Sequence, residues 1–133
     1  MTSSPKFVHL NVHTEYSLSE GIARIKDLAI EAHSAGMPAV AMTDINNLYA
    51  AVKFYRSCLN AGVKPLFGVE LTLGAVTPVD PGGKIILLCM NNRGFKGVSE
   101  LLTQLYTQPR EGRELVAGLN QIESVADDVI ALT

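Results

Sequence analysis

The chain has 133 residues, of which 11 are basic and 13 acidic, so its net charge is −2. That length fits one domain, and a hydrophobic share of 47% excludes an intrinsically disordered chain. A pI near 5.9 argues against a protein that binds nucleic acid through a basic surface of its own.

Short strands and amphipathic helices alternate along the first third of the chain. Residues 7–12 have the pattern of a strand, and Ser17–Glu20 has the form of a capping box for a helix that continues to Ala35. We expect Gly36 to end that helix in a left-handed conformation. Residues 39–43 form a continuous apolar run, which is typical of a strand covered on both faces.

The alternation continues through the rest of the chain. We expect Asn46 or Asn47 to cap a second helix, whose apolar stripe is Leu48, Ala51, Val52, Tyr55 and Leu59. The remaining predicted elements are a strand at 64–73, a surface turn at 74–83, a strand at 85–90, a helix at 95–105, a polar loop at 108–118, a short helix at 119–125 and a fifth strand from 129.

This order of elements predicts an α/β fold. Alternating strands and helices favour a mainly parallel sheet with right-handed crossovers and flanking helices. The chain stops within or just after its last predicted strand, so we expect it to be part of a larger domain. No apolar run is long enough to span a membrane and the first residues lack the apolar core of a signal peptide, so we expect a cytoplasmic protein with no membrane contact.

The two cysteines are isolated from each other in the sequence. Cys58 and Cys89 each lie in an apolar stretch and form no CxxC pair. We therefore expect both to be small buried hydrophobic residues, as suits a reducing compartment.

Polar side chains gather where the predicted strands end. His9, Asn11 and His13 alternate along the first strand and so are expected to share a face, while Asp44 and Glu70 lie at or near the ends of the next two. Functional residues of parallel α/β folds gather at these carboxyl ends. Imidazole and carboxylate together can build a hydrolytic metal centre. The alternative is structural: the histidines are hydrogen-bonded within the fold, and Asp44 caps the following turn.

Several segments, taken in order, resemble one family. Residues 7–21 are similar to the opening of the PHP (polymerase and histidinol phosphatase) domain, in the version that begins bacterial DNA polymerase III alpha subunits. The segments that continue this resemblance in register are 36–44, 47–49, 52–55, 62–70, 87–92, 94–95 and 129–132. The resemblance implies that residues 1–133 are a partial PHP domain, the first half of a distorted (β/α)7 barrel at the N-terminus of a much longer polymerase chain.

The family's metal-binding positions are only partly retained. Residual positions are His13, Glu20, Asp44 and Glu70, and Glu20 stands where aspartate is usual. The positions that have lost a metal-binding side chain are Asn11, Ile45 and Lys84. An inward Lys84 ammonium would repel a cation by about 4 kcal/mol at ~4 Å and an effective dielectric of ~20. We therefore expect no metal, cofactor or catalytic residue in this stretch.

The resemblance also implies a function. The parent chain would be a DNA-directed DNA polymerase that uses Mg²⁺ in its palm domain, outside these residues. This stretch would be structural and would dock the proofreading exonuclease subunit and other replicase subunits, while DNA is contacted elsewhere in the parent chain. Because a partial barrel leaves strand edges open, we also expect the fragment to self-associate.

Two other classes of function remain open from the sequence. One is an active, metal-dependent PHP phosphoesterase or 3′–5′ exonuclease, which the positions 11, 45 and 84 disfavour. The other is a freestanding interaction module, which the ending in mid-barrel disfavours.

Overall fold

Four strands and four α-helices are found in the computed structural model, which describes residues 6–17, 21, 23–75, 78–79, 82–108 and 115–133. In chain order they are α1 (Ile25–Ser34), β1 (Ala39–Ile45), α2 (Ala51–Ala61), β2 (Lys64–Leu73), β3 (Gly83–Cys89), α3 (Asn92–Thr107), α4 (Leu119–Glu123) and β4 (Val129–Leu132). Short 3-10 turns occupy Glu15–Ser17 and Ala126–Asp128. No helix among these residues is both long and apolar enough to cross a membrane.

The strands form one sheet in the order β1-β2-β3-β4. The α/β class is confirmed, but the prediction of a mainly parallel sheet is wrong. Among the four strands of the described residues, β1 and β2 pair parallel, while β2 and β3, and β3 and β4, pair antiparallel. The reason lies in the connection between β2 and β3. A parallel crossover needs a dozen or more residues and usually a helix, whereas the short turn after Leu73 returns the chain as a hairpin.

Residues 7–12 run beside β1 without forming the predicted strand. Ala41 N–H donates to the His9 carbonyl at 3.0 Å, and Thr43 N–H donates to the Val12 carbonyl at 2.9 Å. The donors are two residues apart and the acceptors three, so one extra residue interrupts the ladder, as in a β-bulge. The Val12 N–H then donates to the Thr43 hydroxyl at 3.0 Å instead of to a backbone carbonyl.

The helix α1 ends where the sequence predicts but starts later than predicted. Gly36 has φ 76°, its N–H donates to the His33 carbonyl at 3.0 Å, and Met37 N–H donates to the Ala32 carbonyl at 2.9 Å. This is a Schellman motif with glycine at its left-handed position, as predicted. The helix begins at Ile25, with Arg24 as its N-cap. Residues 18–20 of the proposed capping box lie outside the described residues.

The second helix also differs from its prediction, both in where it starts and in which face it buries. Its N-cap is Ala50, with no side-chain cap, so neither Asn46 nor Asn47 caps it. The buried side chains are Phe54 and Cys58, whereas the predicted stripe is largely exposed: Val52 is 65%, Tyr55 48% and Leu59 55% exposed. The two stripes lie side by side on the helix, and the packing against α1 and β2 selects the one with Phe54.

The core lies on one face of the sheet, in two clusters. One cluster holds α1 and α2 against Val40 and Met42 of β1. The other holds α3 and α4 against β2 and β3. Phe67 of β2 lies between them, with its ring centroid 5.9 Å from that of Phe54 on α2 and 5.8 Å from that of Phe95 on α3.

Both cysteines take part in this packing. Cys58 is buried and Cys89 is half-buried, and both are free thiols. Desolvation by burial raises the pKa of each thiol to about 11. Both thiols therefore stay protonated at neutral pH. Cys58 is a buried hydrophobic residue, as predicted, whereas Cys89 is only half-buried.

We predict that Gly36→Ala lowers the free energy of unfolding by about 1 kcal/mol, because a β-carbon disfavours the left-handed conformation. Nothing lies within 4 Å of a β-carbon built at Gly36, so backbone conformation alone should set this cost. Gly83→Ala is the matched control, since that position has equally open space and is absent from the positive-φ glycines.

Gly82→Ala should lower the free energy of unfolding by more than Gly36→Ala or Gly83→Ala. Gly82 has φ 79°, and its β-carbon would meet the Leu73 carbonyl oxygen. Urea unfolding of the three variants measures the free energy that each one loses and so the order of the three losses. Equal losses for Gly36→Ala and Gly83→Ala would contradict the role of the α1 terminus.

Candidate functional site

Asp44 is a fully buried carboxylate near the end of β1. Its Oδ1 accepts the Thr14 N–H at 2.6 Å and the Ser17 hydroxyl at 2.7 Å, and its Oδ2 accepts the Thr14 hydroxyl at 2.6 Å. The Ser17 Oγ in turn accepts the Ile45 N–H at 3.1 Å. Hydrogen bonds to an ionised acceptor are among the stronger ones in proteins. Asp44 therefore fixes the chain around Thr14–Ser17 against the end of β1.

These contacts bear on the structural interpretation of Asp44. It does not cap the turn that follows it, because its donors come from about thirty residues earlier in the chain. Both of its oxygens accept hydrogen bonds from within the chain, and these bonds tie it to the fold. The sequence pattern does not indicate Thr14 as a partner of Asp44, and it favours Ser17 as part of a capping box instead. The signal for them is weak: two hydroxyl residues within five positions of the end of the first predicted strand.

Glu70 lies on the opposite face of the sheet. The register pairs Asp44 with Val69 and Ile45 with Glu70, so the two carboxylates extend in opposite directions. The Glu70 side chain is only 8% exposed and has two basic neighbours. His13 Nε2 lies 3.4 Å from its Oε1, and Lys84 Nζ lies 3.8 Å from its Oε2. A side chain from β3 thus places an ammonium beside the acid.

His13 and His9 do not share a face, contrary to the prediction. His13 points to Glu70, whereas His9 lines a small cavity with Leu28 and Ala32 of α1, on the helical side of the sheet. The extra residue between His9 and Val12 breaks the alternation on which that prediction rested. His13 Nε2 is buried and makes no hydrogen bond within the part of the chain that the structure describes.

The other predicted positions contribute little to a metal site. Asn11 Oδ1 accepts the Thr43 hydroxyl at 2.9 Å, so the amide is engaged with β1. Ile45 carries no donor atom, and Glu20 lies outside the described residues. The Lys84 side chain is largely exposed, and its Nζ lies 3.8 Å from Glu70 Oε2.

These residues do not fit a catalytic metal. Only His13 and Glu70 converge as potential ligands, and the described residues include no group of three histidine, cysteine or acidic side chains that could hold an ion. A multinuclear hydrolytic centre needs more donors than this pair offers and no ammonium among them.

The chain belongs to the PHP domain family. The model of that family matches residues 9–133, which is nearly the whole chain.

Its relatives point to one kind of protein. The chain is 36% identical over 127 residues to the DNA polymerase III subunit alpha of Pseudomonas aeruginosa, covering 96% of this chain and 11% of that protein. It is 44% identical over 121 residues to the subunit alpha of Pseudomonas fluorescens, covering 86% and 10%. With the Escherichia coli K12 subunit it shares 38% identity over 104 residues, covering 78% and 9%. The chain thus spans about a tenth of the length of these curated relatives.

Solved structures share the fold at low identity. A candidate metal-dependent phosphoesterase from Bifidobacterium adolescentis superposes with a TM-score of 0.58 at 17% identity, over 77% of this chain and 34% of that one. An amidohydrolase from Chromobacterium violaceum gives a TM-score of 0.55 at 16% identity, over 74% and 32%. At such identities the likeness establishes the fold alone.

We predict that Asp44→Asn lowers the free energy of unfolding by about 2 kcal/mol or more. The amide nitrogen would face the hydroxyl of Thr14 or Ser17 and leave buried donors without an acceptor. Asp127→Asn is the matched control, because Asp127 is exposed in the turn before β4. Urea unfolding followed by circular dichroism measures both. A loss at Asp44 no larger than at Asp127 would show that the carboxylate does not anchor the N-terminal segment.

Proposed function

We propose that this chain is the PHP region of the alpha subunit of a bacterial replicative polymerase, a cytoplasmic DNA-directed DNA polymerase. The observation that carries the proposal is the 36% identity to such a subunit over 96% of the chain. Nucleotide transfer, with its Mg²⁺, belongs to a palm domain elsewhere in such a subunit. DNA is contacted there and not by this acidic region alone.

Within that subunit, we propose a structural role for this region. The supporting observation is how the family's metal-binding positions are used here. Asp44 holds the N-terminal segment, Asn11 holds Thr43, and Lys84 lies beside Glu70. Each of these side chains makes a contact inside the chain, at a position where the resemblance places a metal-binding side chain in hydrolytic members of the family.

The sheet fits the first half of a (β/α)7 barrel in our proposal. All described helices cover one face of the sheet, as helices do outside a barrel. On the other face, Glu70 and Lys84 lie where a barrel interior would be. The edge of β4, where Ile130 is 50% exposed, is available for pairing. We propose that the isolated chain self-associates through this edge.

One observation favours a second candidate function, an active PHP phosphoesterase or 3′–5′ exonuclease. His13 Nε2 is buried, has no hydrogen bond in the described part of the chain and faces Glu70 at 3.4 Å. Such a pair could hold a single ion if Lys84 moved away. The lost donors at positions 11 and 45 make this the weaker candidate.

A metal and hydrolysis assay separates the two candidates. Incubated with zinc or manganese and then dialysed, the protein is expected to retain no stoichiometric metal, because Lys84 and the missing donors disfavour binding. It is also expected to release no nitrophenol from a phosphodiester substrate. Elemental analysis and absorbance measure the two results.

The opposite outcome would establish the phosphoesterase. It consists of one bound ion per chain, lost in His13→Gln, with turnover abolished by Glu70→Gln. Glu123→Gln, at an exposed position on α4, is the matched control and should change neither measurement.

We further propose that this region docks the proofreading exonuclease subunit, together with other subunits of the replicase. Mixed with the exonuclease subunit encoded in the same genome, the chain is expected to co-elute with it in size-exclusion chromatography. The matched control is bovine serum albumin in place of the exonuclease. Separate elution at micromolar concentrations of both proteins would remove docking from the proposed function.

A further inference from the structure

The strand β4 lies at one edge of the sheet, and no strand of the described residues pairs with its outer side. The opposite edge, on β1, is covered by residues 7–12, whose carbonyl groups accept hydrogen bonds from β1. β4 also lacks the features that protect an edge strand, because Val129–Leu132 contains no charged residue and no proline, and its register with β3 has no bulge. The outer side of β4 is therefore open to pairing.

The ladder with β3 shows which backbone groups of β4 are already used. Met90 N–H donates to the Asp128 carbonyl at 2.9 Å, directly beyond the last pair of the β3–β4 ladder and in the same register. Hydrogen-bonded and non-hydrogen-bonded pairs alternate along antiparallel strands. Counted in steps of two from Asp128, Ile130 and Leu132 therefore direct their backbone N–H and C=O groups toward β3.

The outer side of β4 accordingly presents the backbone groups of the alternate residues, Val129 and Ala131. Side chains alternate between the two faces of a strand. Val129 packs in the core beneath α3 and α4, so Ile130 and Leu132 extend from the opposite face. Ile130 is 50% exposed, and Leu132 is partly exposed. The edge thus combines outward backbone groups with two apolar side chains.

A second copy of the chain can pair with this edge equivalently in one direction. Two strands related by a two-fold axis exchange their roles, and the hydrogen bonds of an antiparallel pair superpose on themselves under that exchange. The slanted hydrogen bonds of a parallel pair do not, because the two strands have different roles in the ladder. An equivalent pair of β4 strands is therefore antiparallel.

The outward groups meet in full when the two-fold axis passes beside Ala131. Ala131 then pairs with Ala131 of the other copy, and Val129 pairs with Thr133. Ile130 of each copy lies opposite Leu132 of the other in a non-hydrogen-bonded pair, the kind whose side chains approach most closely. None of these five residues has a charged side chain, so no like charges oppose each other. The edge is complementary to itself.

We propose that two copies of the chain pair through β4 as an antiparallel, two-fold symmetric strand pair centred on Ala131. This pairing joins the two four-stranded sheets into one continuous sheet with the helices of both copies on the same face. The inference rests on the self-association in the proposed function and adds to it the direction, the register and the residues that meet.

Disulfide cross-linking of two variants of the 133-residue chain tests the register. In the proposed pair, residues 130 and 132 of different copies have Cα atoms about 4.5 Å apart, which a disulfide spans. Two copies of residue 130, or of residue 132, are diagonal neighbours about 7–8 Å apart, which is too far. We therefore expect a mixture of Ile130→Cys and Leu132→Cys to form disulfide-linked dimers at least tenfold faster than either variant alone. Non-reducing electrophoresis during mild oxidation measures the rates, with the unmodified chain as background for Cys58 and Cys89.

Two further variants test the strand pair in sedimentation equilibrium. Ile130→Lys places a charge at the contact, and Ala131→Pro removes one outward N–H without removing a hydrogen bond to β3. Each should weaken self-association at least tenfold. Ile30→Lys, at a similarly exposed position on α1, is the matched control and should leave it unchanged. Circular dichroism confirms the fold of each variant, and either of the two β4 variants suffices if the other does not fold.

The outcomes separate this register from self-association in general. Self-association that survives the β4 variants, or cross-linking of the mixture no faster than of the single variants, would overturn the proposed pair and leave self-association itself standing. A monomeric mass of the unmodified chain at every concentration would contradict both.

Discussion

The N-terminal third of this structure depends on one buried carboxylate. Asp44 is fully buried, and an ionised side chain in such a place must be compensated by donors. Thr14 and Ser17 supply three hydrogen bonds of 2.6 to 2.7 Å and thereby fix the segment that precedes α1. His13 is next to Thr14, so the same bonds determine where its imidazole lies. The position of His13 beside Glu70 is thus a consequence of Asp44 on the opposite face of the sheet.

The second carboxylate, Glu70, lies beside basic side chains of the same chain. Glu70 is nearly as buried as Asp44 but has basic neighbours in place of hydroxyl donors. Lys84, contributed by the neighbouring antiparallel strand, provides a positive charge at the acid. The charge of Glu70 is then balanced from within the chain, and a cation from solution is not needed for that balance. This arrangement supports the structural role that we propose for the region.

The hairpin between β2 and β3 has a consequence on the helical side. In a sheet built only from parallel crossovers, each neighbouring strand pair has a helix above it. Here α3 and α4 cover β2 and β3, and Phe67 lies between α2 and α3, in contact with both helices. Beside it, α2 exposes the apolar side chains of Val52, Tyr55 and Leu59. The sequence pattern alone gives these three residues as the apolar stripe of the helix, because hydrophobicity does not distinguish a buried face from an exposed one.

Local patterns in the sequence were sufficient to predict most of the individual helices and strands. The α1 terminus at Gly36, the buried strand β1 and the amphipathic helix α3 follow from glycine conformation and hydrophobic periodicity, which act over a few residues. The family motifs likewise marked the residual positions His13, Asp44 and Glu70. Only the tertiary structure decided the pairing of β2 with β3, the buried face of α2 and the partners of Asp44. Each of these depends on contacts between residues far apart in the chain, and one extra residue before Val12 was enough to place His9 and His13 on different sides of the sheet.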